Sequence, residues 1–236
     1  MRSSETTDDR QLAWDGCLNV RDLGGLPTVD GRRTRRGAVV RADNLDSLTD
    51  EGWAALRAYG VRTVVDLRDE ADFRPRLAHP ADVELVRVPL DELAGPDWWA
   101  RFGALDGTPL SFRPYLDDCP HAVAALVRAV ATARPGGVVV HCGAGRDRTG
   151  LATLVLLAVA GVRAEAIAAD YLLSTENLRP LWGMLGRPDE AAVTEEILRE
   201  AGTTAEAALR EVLAEFEPES YLPAAELAAV RARLLG

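Results

Sequence analysis

The residues best suited to chemistry in this chain form one short run, His-Cys-Gly-Ala-Gly-Arg-Asp-Arg-Thr-Gly, from His141 to Gly150. Cys142 has the type of side chain that attacks phosphorus. Arg148, six residues later, could grip two phosphate oxygens at once, which a lysine cannot do. Cationic neighbours such as Arg146 and a helix N-terminus favour the thiolate form of a cysteine. This spacing predicts a cysteine nucleophile below a bound phosphate.

The segments around this run predict an anion site. An apolar stretch at 138–140 precedes it, and a long apolar, helix-like stretch at 151–162 follows it. A strand, a glycine-containing loop and a helix N-terminus together point several backbone amides at one position. The Thr149 hydroxyl could donate to the sulfur and improve it as a leaving group, in a two-step reaction through a phosphocysteine. The expected phosphate-binding positions are Gly143, Ala144, Gly145, Arg146 and Thr149.

Other kinds of phosphate or metal site fit the run poorly. The nucleotide-binding signature requires lysine and serine or threonine where Leu151 and Ala152 stand. The dinucleotide fingerprint requires a third glycine where Arg148 stands. His141 and Cys142 are adjacent and have no C-x-x-C partner, so we predict neither a metal site nor a cofactor. A chemically inert buried cysteine would not explain the accompanying arginine and glycines.

The run at 141–150 resembles the signature loop of the protein tyrosine phosphatase superfamily. The finer resemblance is to the atypical bacterial tyrosine phosphatases, whose loop reads H-C-x-x-G-K-D-R-T-G. This resemblance spans about residues 12–236, because further segments fit the same group, at 19–25, 39–45, 64–68 and 170–174. It implies a hydrolase that acts on phosphotyrosine, and in some members on phosphoserine, phosphothreonine or phosphoinositides.

One position departs from that pattern, because Arg146 stands where the family usually has lysine. The chain contains no lysine at all, so a general bias toward arginine accounts for the change. The charge is kept, but the planar guanidinium is wider and alters which substrates fit. Phosphotyrosine is therefore a firmer expectation than a phosphoinositide.

The proton donor for the leaving group has three candidates. The resemblance assigns this role to Asp147, within the loop. The flanking arginines and the helix N-terminus, however, favour a carboxylate there rather than the acid that a donor must be. Asp91, directly after a strand-like stretch, and Asp97, in a Gly-Pro-Asp-Trp-Trp segment, stay open as alternatives. Asp97 could instead cap a helix.

Length and charge limit the possible partners. The 236 residues suit one domain at 12–236 after a flexible tail at 1–11. The net charge of −10 argues against nucleic acid or an anionic membrane as a partner. The expected partner is a phosphorylated protein, or else a small phosphate ester or phospholipid. The oligomeric state is left open.

The start of the chain and its cysteines bear on location. Residues 1–10 lack the apolar region of a secretory signal, and no apolar run reaches the ~18 residues that a membrane span needs. Three cysteines predict no disulfide framework. We expect a cytoplasmic protein, while secretion by another route stays open. A disulfide from Cys17 or Cys119 to Cys142 is less favoured than ordinary buried thiols.

Alternating strand and helix patterns predict an α/β fold, with a mostly parallel central sheet flanked by helices. Strands are expected at 34–40, 61–67 and 84–88 and directly before the loop. Helices are expected at 50–59, 121–134, 165–176, 188–201, 204–216 and 224–235, and helical lids at 95–106 and 180–202. The predicted function is a cysteine-dependent phosphatase. A non-catalytic module that binds phosphorylated ligands and a small-molecule phosphatase are the alternatives.

Overall fold

The computed structural model describes residues 9–72, 80–186 and 189–236. A five-stranded sheet with the order β1-β2-β5-β3-β4 lies at its centre. β1 runs antiparallel to β2, and every other neighbouring pair is parallel. This arrangement confirms the predicted α/β class. The strands are β1 Arg21–Asp22, β2 Val39–Ala42, β3 Val61–Asp66, β4 Glu84–Arg87 and β5 Gly137–His141.

Helices cover both faces of the sheet and form the C-terminal part of the described chain, as predicted. None of the described helices is both long and apolar enough to cross a membrane. The α-helices are α1 Asp50–Ala58, α2 Leu90–Phe102, α3 Phe112–Asp118, α4 Pro120–Ala131, α5 Asp147–Val159, α6 Ala164–Leu185, α7 Glu190–Glu200, α8 Ala205–Glu215, α9 Pro218–Tyr221 and α10 Ala224–Leu235.

The position of the middle strand, β5, determines where the loop that starts at Cys142 emerges. All five of its residues are buried, which suits a run of β-branched side chains covered on both faces of a parallel sheet. Its register places Val140 between Arg41 of β2 and Val65 of β3. Two hydrophobic clusters pack on opposite faces, one including α4, α5 and α10 and the other α1. The carboxyl ends of β3, β4 and β5 therefore meet at one edge, where ligands bind in such sheets.

Two of the predicted elements have clearly different bounds in the structure. The strand expected at 34–40 begins only at Val39, because the backbone N–H of Thr34 donates to Leu26 and that of Arg35 donates to Leu234 in α10. The helix expected at 165–176 continues to Leu185. It does so because Leu178 and Trp182 stay buried along the added turns.

The chain makes ordered contacts before the predicted boundary at residue 12. Most of the expected flexible tail, residues 1–8, lies outside the described residues. Arg10 is buried, and its Nη1 donates to Asp170 at 2.7 Å. Gln11 forms an isolated bridge to Arg21 of β1. The first described residues are thus part of the packed structure.

Candidate active site

The loop after β5 makes its tightest approach at Gly145. Cys142 follows the strand directly and is buried, with 3% of its surface exposed. Gly145 has φ of +69°, and a Cβ there would lie 2.4 Å from the carbonyl oxygen of Ala42 at the end of β2. Only glycine fits that position. Gly143 has no positive φ, and a Cβ there would approach only Arg148, at 4.0 Å. Of the two glycines in the loop, it is therefore Gly145 whose backbone requires the absence of a side chain.

The carbonyl groups of the loop are held by two polar side chains from the N-terminal part of the chain. Asn19 Nδ2 donates to the carbonyl oxygens of Ala144 and Gly145, at 3.1 and 3.0 Å. Arg41 Nη2 donates to Gly145 at 2.7 Å. These carbonyl oxygens would repel a bound anion if they faced it. They accept hydrogen bonds from Asn19 and Arg41 instead.

Those two side chains are oriented by a buried ionic group that we call the Asp170 cluster, which comprises Asp170, Arg10, Arg21 and Arg41. The three arginines approach the one carboxylate at 2.7, 3.0 and 2.7 Å. Arg21 also donates to Asn19 at 2.6 Å. Burial alone would raise the pKa of Asp170, but the arginines hold that pKa well below its usual range. The cluster is a permanently ionised support beneath the loop.

His141, the last residue of β5, helps to fix the start of the loop. Its ring lies beside Asp66 of β3, with Nε2 3.6 Å from the carboxylate. Its Nδ1 lies 3.3 Å from the carbonyl oxygen of Cys142. Burial lowers the pKa of His141 to about 4, against the opposing charge of Asp66. The imidazole is therefore neutral near pH 7 and lies between the Asp66 carboxylate and the carbonyl group of Cys142.

A second ionic group, which we call the Arg148 cluster, lies on the cavity side of the loop and comprises Arg148, Asp69, Asp72 and Asp91. Nη1 of Arg148 lies 2.5 Å from Asp72, 3.0 Å from Asp91 and 3.7 Å from Asp69. Oxygens of the three carboxylates lie within 4.8 Å of one another, a spacing that could hold a metal ion. Here the guanidinium supplies the positive charge that such a group of carboxylates requires.

Arg148 also lies close enough to Cys142 to interact with it electrostatically. Burial lowers the pKa of Arg148, but the interactions with Cys142, Asp72 and Asp91 raise that pKa above its ordinary value. One guanidinium thus connects the sulfur with the group of carboxylates. The predicted roles of Cys142 and Arg148 in binding and attacking a phosphate stay predictions.

The environment separates the pKa values of two carboxyls that share this guanidinium. Burial raises the pKa of Asp72, but the hydrogen bond and charge of Arg148 outweigh burial, and the pKa is lowered overall. Burial is also the largest influence on Asp91, where Arg148 opposes it and the neighbouring Asp69 and Asp106 reinforce it. The pKa of Asp91 is raised to about 7. Asp72 is therefore ionised near neutral pH, whereas Asp91 is protonated in about half of the molecules at pH 7.

A narrow cavity of about 30 Å³ opens beside Arg148. Aromatic side chains form much of its wall, and both Asp91 and Asp147 face it. The lining residues are Leu90, Asp91, Trp98, Trp99, Asp106, Ser111, Phe112, Tyr115, Asp147, Arg148 and Leu151.

The start of α7 lies over the other side of the loop. Arg146 is buried, and it donates through Nε to Asp147 at 3.1 Å and through Nη2 to Glu190 at 3.4 Å. The hydroxyl of Tyr171 also donates to Asp147, at 3.3 Å. Glu190 belongs to the stretch 180–202, where a helical lid was expected, and the described part of that stretch contacts the loop.

Two of the remaining predicted site residues do not take the expected contacts. Asp97 is exposed on α2 and does not line the cavity, so the structure does not bring it to the site. The Thr149 hydroxyl is buried and has no hydrogen-bond partner within the described residues, so its donation to the sulfur stays a prediction.

Of the other two cysteines, Cys119 is buried and Cys17 is partly exposed. Cys17 and Cys119 are not in disulfides. Burial raises the pKa of both thiols, with Asp43 adding to the effect at Cys17 and Asp118 at Cys119. Both are therefore held as unreactive thiols.

Sequence reasoning named Asp91 as an alternative proton donor but missed Asp69 and Asp72, the other two carboxylates that surround Arg148. Asp69 comes shortly after β3, and Asp91 shortly after β4. Because the carboxyl ends of neighbouring parallel strands meet at one edge, this spacing could have placed Asp69 beside Asp91. Asp72 and Asp106 carry no comparable signal, since a short 3₁₀ helix and a loop bring them to the site.

Comparisons with known proteins agree with this geometry. A model of the tyrosine phosphatase family matches residues 12–236. A Cupriavidus necator protein, named provisionally as a tyrosine-protein phosphatase, is 32% identical over 85% of this chain and 78% of its own length. The triple specificity protein phosphatase PtpB of Mycobacterium tuberculosis is 26% identical over 89% of this chain and 85% of its own. A tyrosine-protein phosphatase of Nostoc commune is 30% identical over 60% of this chain and 49% of its own. The chain belongs to the tyrosine phosphatase family.

Proposed function

We propose that this chain hydrolyses phosphate monoesters through a phosphocysteine intermediate on Cys142, with phosphotyrosine as its main substrate. The observation that carries the proposal is the placement of the Arg148 guanidinium, which approaches Gly143 and interacts electrostatically with Cys142, the residue before it. A phosphate needs both groups on one side of the loop.

The roles of the loop residues follow from this placement. The Cys142 thiolate attacks phosphorus while Arg148 grips two of the phosphate oxygens. Backbone amides between Gly143 and Thr149, at the N-terminus of α5, stabilise the charge on the third. A carboxyl that lines the cavity gives a proton to the leaving oxygen, and Asp147 and Asp91 both meet that condition. These groups require no metal ion or organic cofactor.

The aromatic wall of the cavity supports phosphotyrosine as the substrate class. Trp98, Trp99 and Phe112 line the space beside Arg148, and aromatic side chains pack favourably on a phenyl ring. The named triple specificity of the Mycobacterium tuberculosis relative supports a wider tolerance as well. Arg146 is already engaged by Asp147 and Glu190, which supports a smaller role for it in binding a multiply charged head group.

The same proposal covers the domain organisation of the chain and its location in the cell. Residues 12–236 form one phosphatase domain, supported by the family match over that range and by the single sheet that carries the site. A thiolate nucleophile needs reducing surroundings to avoid oxidation, which supports a cytoplasmic setting.

Hydrolysis of para-nitrophenyl phosphate tests the function. Wild type and Cys142→Ser are compared under reducing conditions with a chelator present, and Cys119→Ser serves as the matched control. We expect chelator-resistant turnover that Cys142→Ser abolishes and Cys119→Ser retains. The turnover of a phosphotyrosine peptide is then compared with that of a phosphoserine peptide of otherwise identical sequence, to rank the two substrate classes.

A folded, reduced wild-type protein without turnover would overturn the enzyme and favour a module that binds phosphorylated ligands. A wild type that turns over small phosphate esters and neither peptide would favour a small-molecule phosphatase.

A further inference from the structure

We propose that Asp91 is a catalytic residue of this site: its carboxyl protonates the leaving-group oxygen in the first step and takes a proton from water in the second. The proposal rests on the cysteine-dependent reaction above and assigns one of its steps to a side chain outside the loop.

The backbone around Asp91 is held firmly at the carboxyl edge of the sheet. Asp91 follows β4 and lies in the first turn of α2. The Trp99 indole donates to its backbone carbonyl at 3.0 Å, and the Tyr115 hydroxyl donates to the carbonyl of Leu90 at 2.7 Å. Gly95, with φ of +78°, bends α2 so that Trp99 turns back toward the start of the helix. A catalytic group needs this kind of support from neighbouring elements.

The side chain of Asp91 faces the same guanidinium as the nucleophile. Its Oδ2 lies 3.0 Å from Nη1 of Arg148. The Nη2 nitrogen of the same arginine points toward Gly143, next to Cys142. A phosphate gripped by Arg148 therefore lies between the sulfur and Asp91, with an ester oxygen directed into the cavity that Asp91 lines.

The charges around Asp91 favour a protonated carboxyl in the resting site. The groups that face it are Arg148, Asp69, Asp72, Asp106 and Tyr115. One guanidinium cannot balance the neighbouring carboxylates, so a proton is retained, and the pKa of Asp91 rises to about 7. Two carboxyls whose environments push their pKa values apart mark the acid of a site, and Asp72 is the ionised member here. A bound phosphate dianion would favour the proton on Asp91 further.

The other candidates are engaged differently. Asp147 also lines the cavity, but its carboxyl oxygens accept hydrogen bonds from Arg146 and Tyr171. Asp97 is exposed and does not line the cavity. Asp91 is the candidate that combines a retained proton with a position in the cavity beside Arg148.

The proton balance closes over the two steps. The thiolate forms a sulfur–phosphorus bond as the phosphorus–oxygen ester bond breaks. The leaving oxygen keeps that electron pair and takes the proton of Asp91, which becomes a carboxylate. In the second step this carboxylate takes one proton of a water whose oxygen attacks phosphorus. The sulfur leaves as a thiolate, and hydrogen phosphate is released.

A leaving-group series tests this assignment. Phenyl phosphate, para-nitrophenyl phosphate and 2,4-dinitrophenyl phosphate, whose leaving groups need a proton progressively less, are compared in wild type, Asp91→Asn and Asp147→Asn. Asp97→Asn, on the same helix, is the matched control. We expect Asp91→Asn to lose about 10²-fold or more in kcat on phenyl phosphate and only a few-fold on the dinitrophenyl ester. In the wild type we expect kcat/KM to fall above about pH 7, as Asp91 loses its proton. This fall should disappear in Asp91→Asn, because an asparagine does not titrate.

A second variant keeps the test valid if Asp91→Asn does not fold. Asp106→Asn removes a negative charge that raises the pKa of Asp91, so the fall of kcat/KM should move to lower pH. An equal loss on all three esters in Asp91→Asn would show that Asp91 only orients Arg148. A leaving-group-dependent loss in Asp147→Asn alone, or an unmoved pH limb in Asp106→Asn, would also overturn the assignment. The proposed function fails separately, if Cys142→Ser still turns over the dinitrophenyl ester.

Discussion

The two ionic clusters around the loop have opposite compositions. In the Asp170 cluster three arginines surround one buried carboxylate. In the Arg148 cluster three carboxylates surround one guanidinium that borders a cavity. The excess of positive charge in the Asp170 cluster holds the pKa of Asp170 far below its usual range. The excess of negative charge in the Arg148 cluster adds to burial in raising the pKa of Asp91 to about 7. The arginine-rich cluster thus keeps its carboxylate ionised and supports the loop permanently. The carboxylate-rich cluster leaves on Asp91 a proton that can be transferred.

The largest expected effect follows from the burial of the first cluster. Asp170→Asn would leave three arginines around a neutral amide, and breaking such a buried group costs about 3–5 kcal/mol of folding free energy. Asp72→Asn is the matched change in the other cluster, where the side chain is 36% exposed, and should cost about 1 kcal/mol or less. Urea unfolding of both variants measures the difference, and equal losses would contradict this contrast.

A smaller effect is expected where the loop touches each cluster. Gly145 presents its carbonyl to Arg41, and an alanine there combines a positive φ with a 2.4 Å approach to Ala42. Gly145→Ala should lower the free energy of unfolding by about 1–3 kcal/mol. It should also remove most of the turnover. Gly143→Ala faces Arg148 across 4.0 Å and should change stability by about 0.5 kcal/mol or less. Thermal unfolding of the pair checks this, and equal shifts would show that the loop is not anchored on the Asp170 side.

The smallest expected effect is a difference in how pH acts on stability. The folded-state pKa of Asp91 lies above its unfolded value of about 3.9, so the folded state binds more protons. Stability from Asp91 is therefore complete below about pH 4 and is lost as the pH rises through about 7. Asp91→Asn should become more stable than wild type above pH 7, by about 1–2 kcal/mol after allowing for partial exposure.

The Asp170 cluster should show the opposite sign. The pKa of Asp170 is lowered in the folded state, so its stabilisation is present above about pH 4 and lost as the pH falls below that value. Urea midpoints between pH 3 and pH 8 measure both slopes. Curves for Asp91→Asn and wild type that stay parallel over this range would contradict the retained proton on Asp91.

The sequence predicted those parts of the site that depend on local order. Cys142 and Arg148 come together because a strand, a short loop and a helix N-terminus follow one another directly. α1, α4, α8 and α10 lie close to their predicted bounds, since apolar periodicity and capping residues are local signals.

What depends on distant contacts was missed. The strand expected at 34–40 is shortened by hydrogen bonds to Leu26 and Leu234, which no local pattern shows. Arg148 receives its carboxylates from three separate segments. The choice among Asp147, Asp91 and Asp97 was left open because burial and neighbouring charge decide it, and both are properties of the folded chain.

The contact between Arg10 and Asp170 has a consequence for synthesis of the protein. It joins residues 160 positions apart, and through Arg41 the same carboxylate supports Gly145. A nascent chain that has emerged only as far as α5 already contains Cys142 and Arg148 but lacks the counter-charge for its buried arginines. Until α6 has been synthesised, Arg10, Arg21 and Arg41 lack the carboxylate that they all contact in the folded protein.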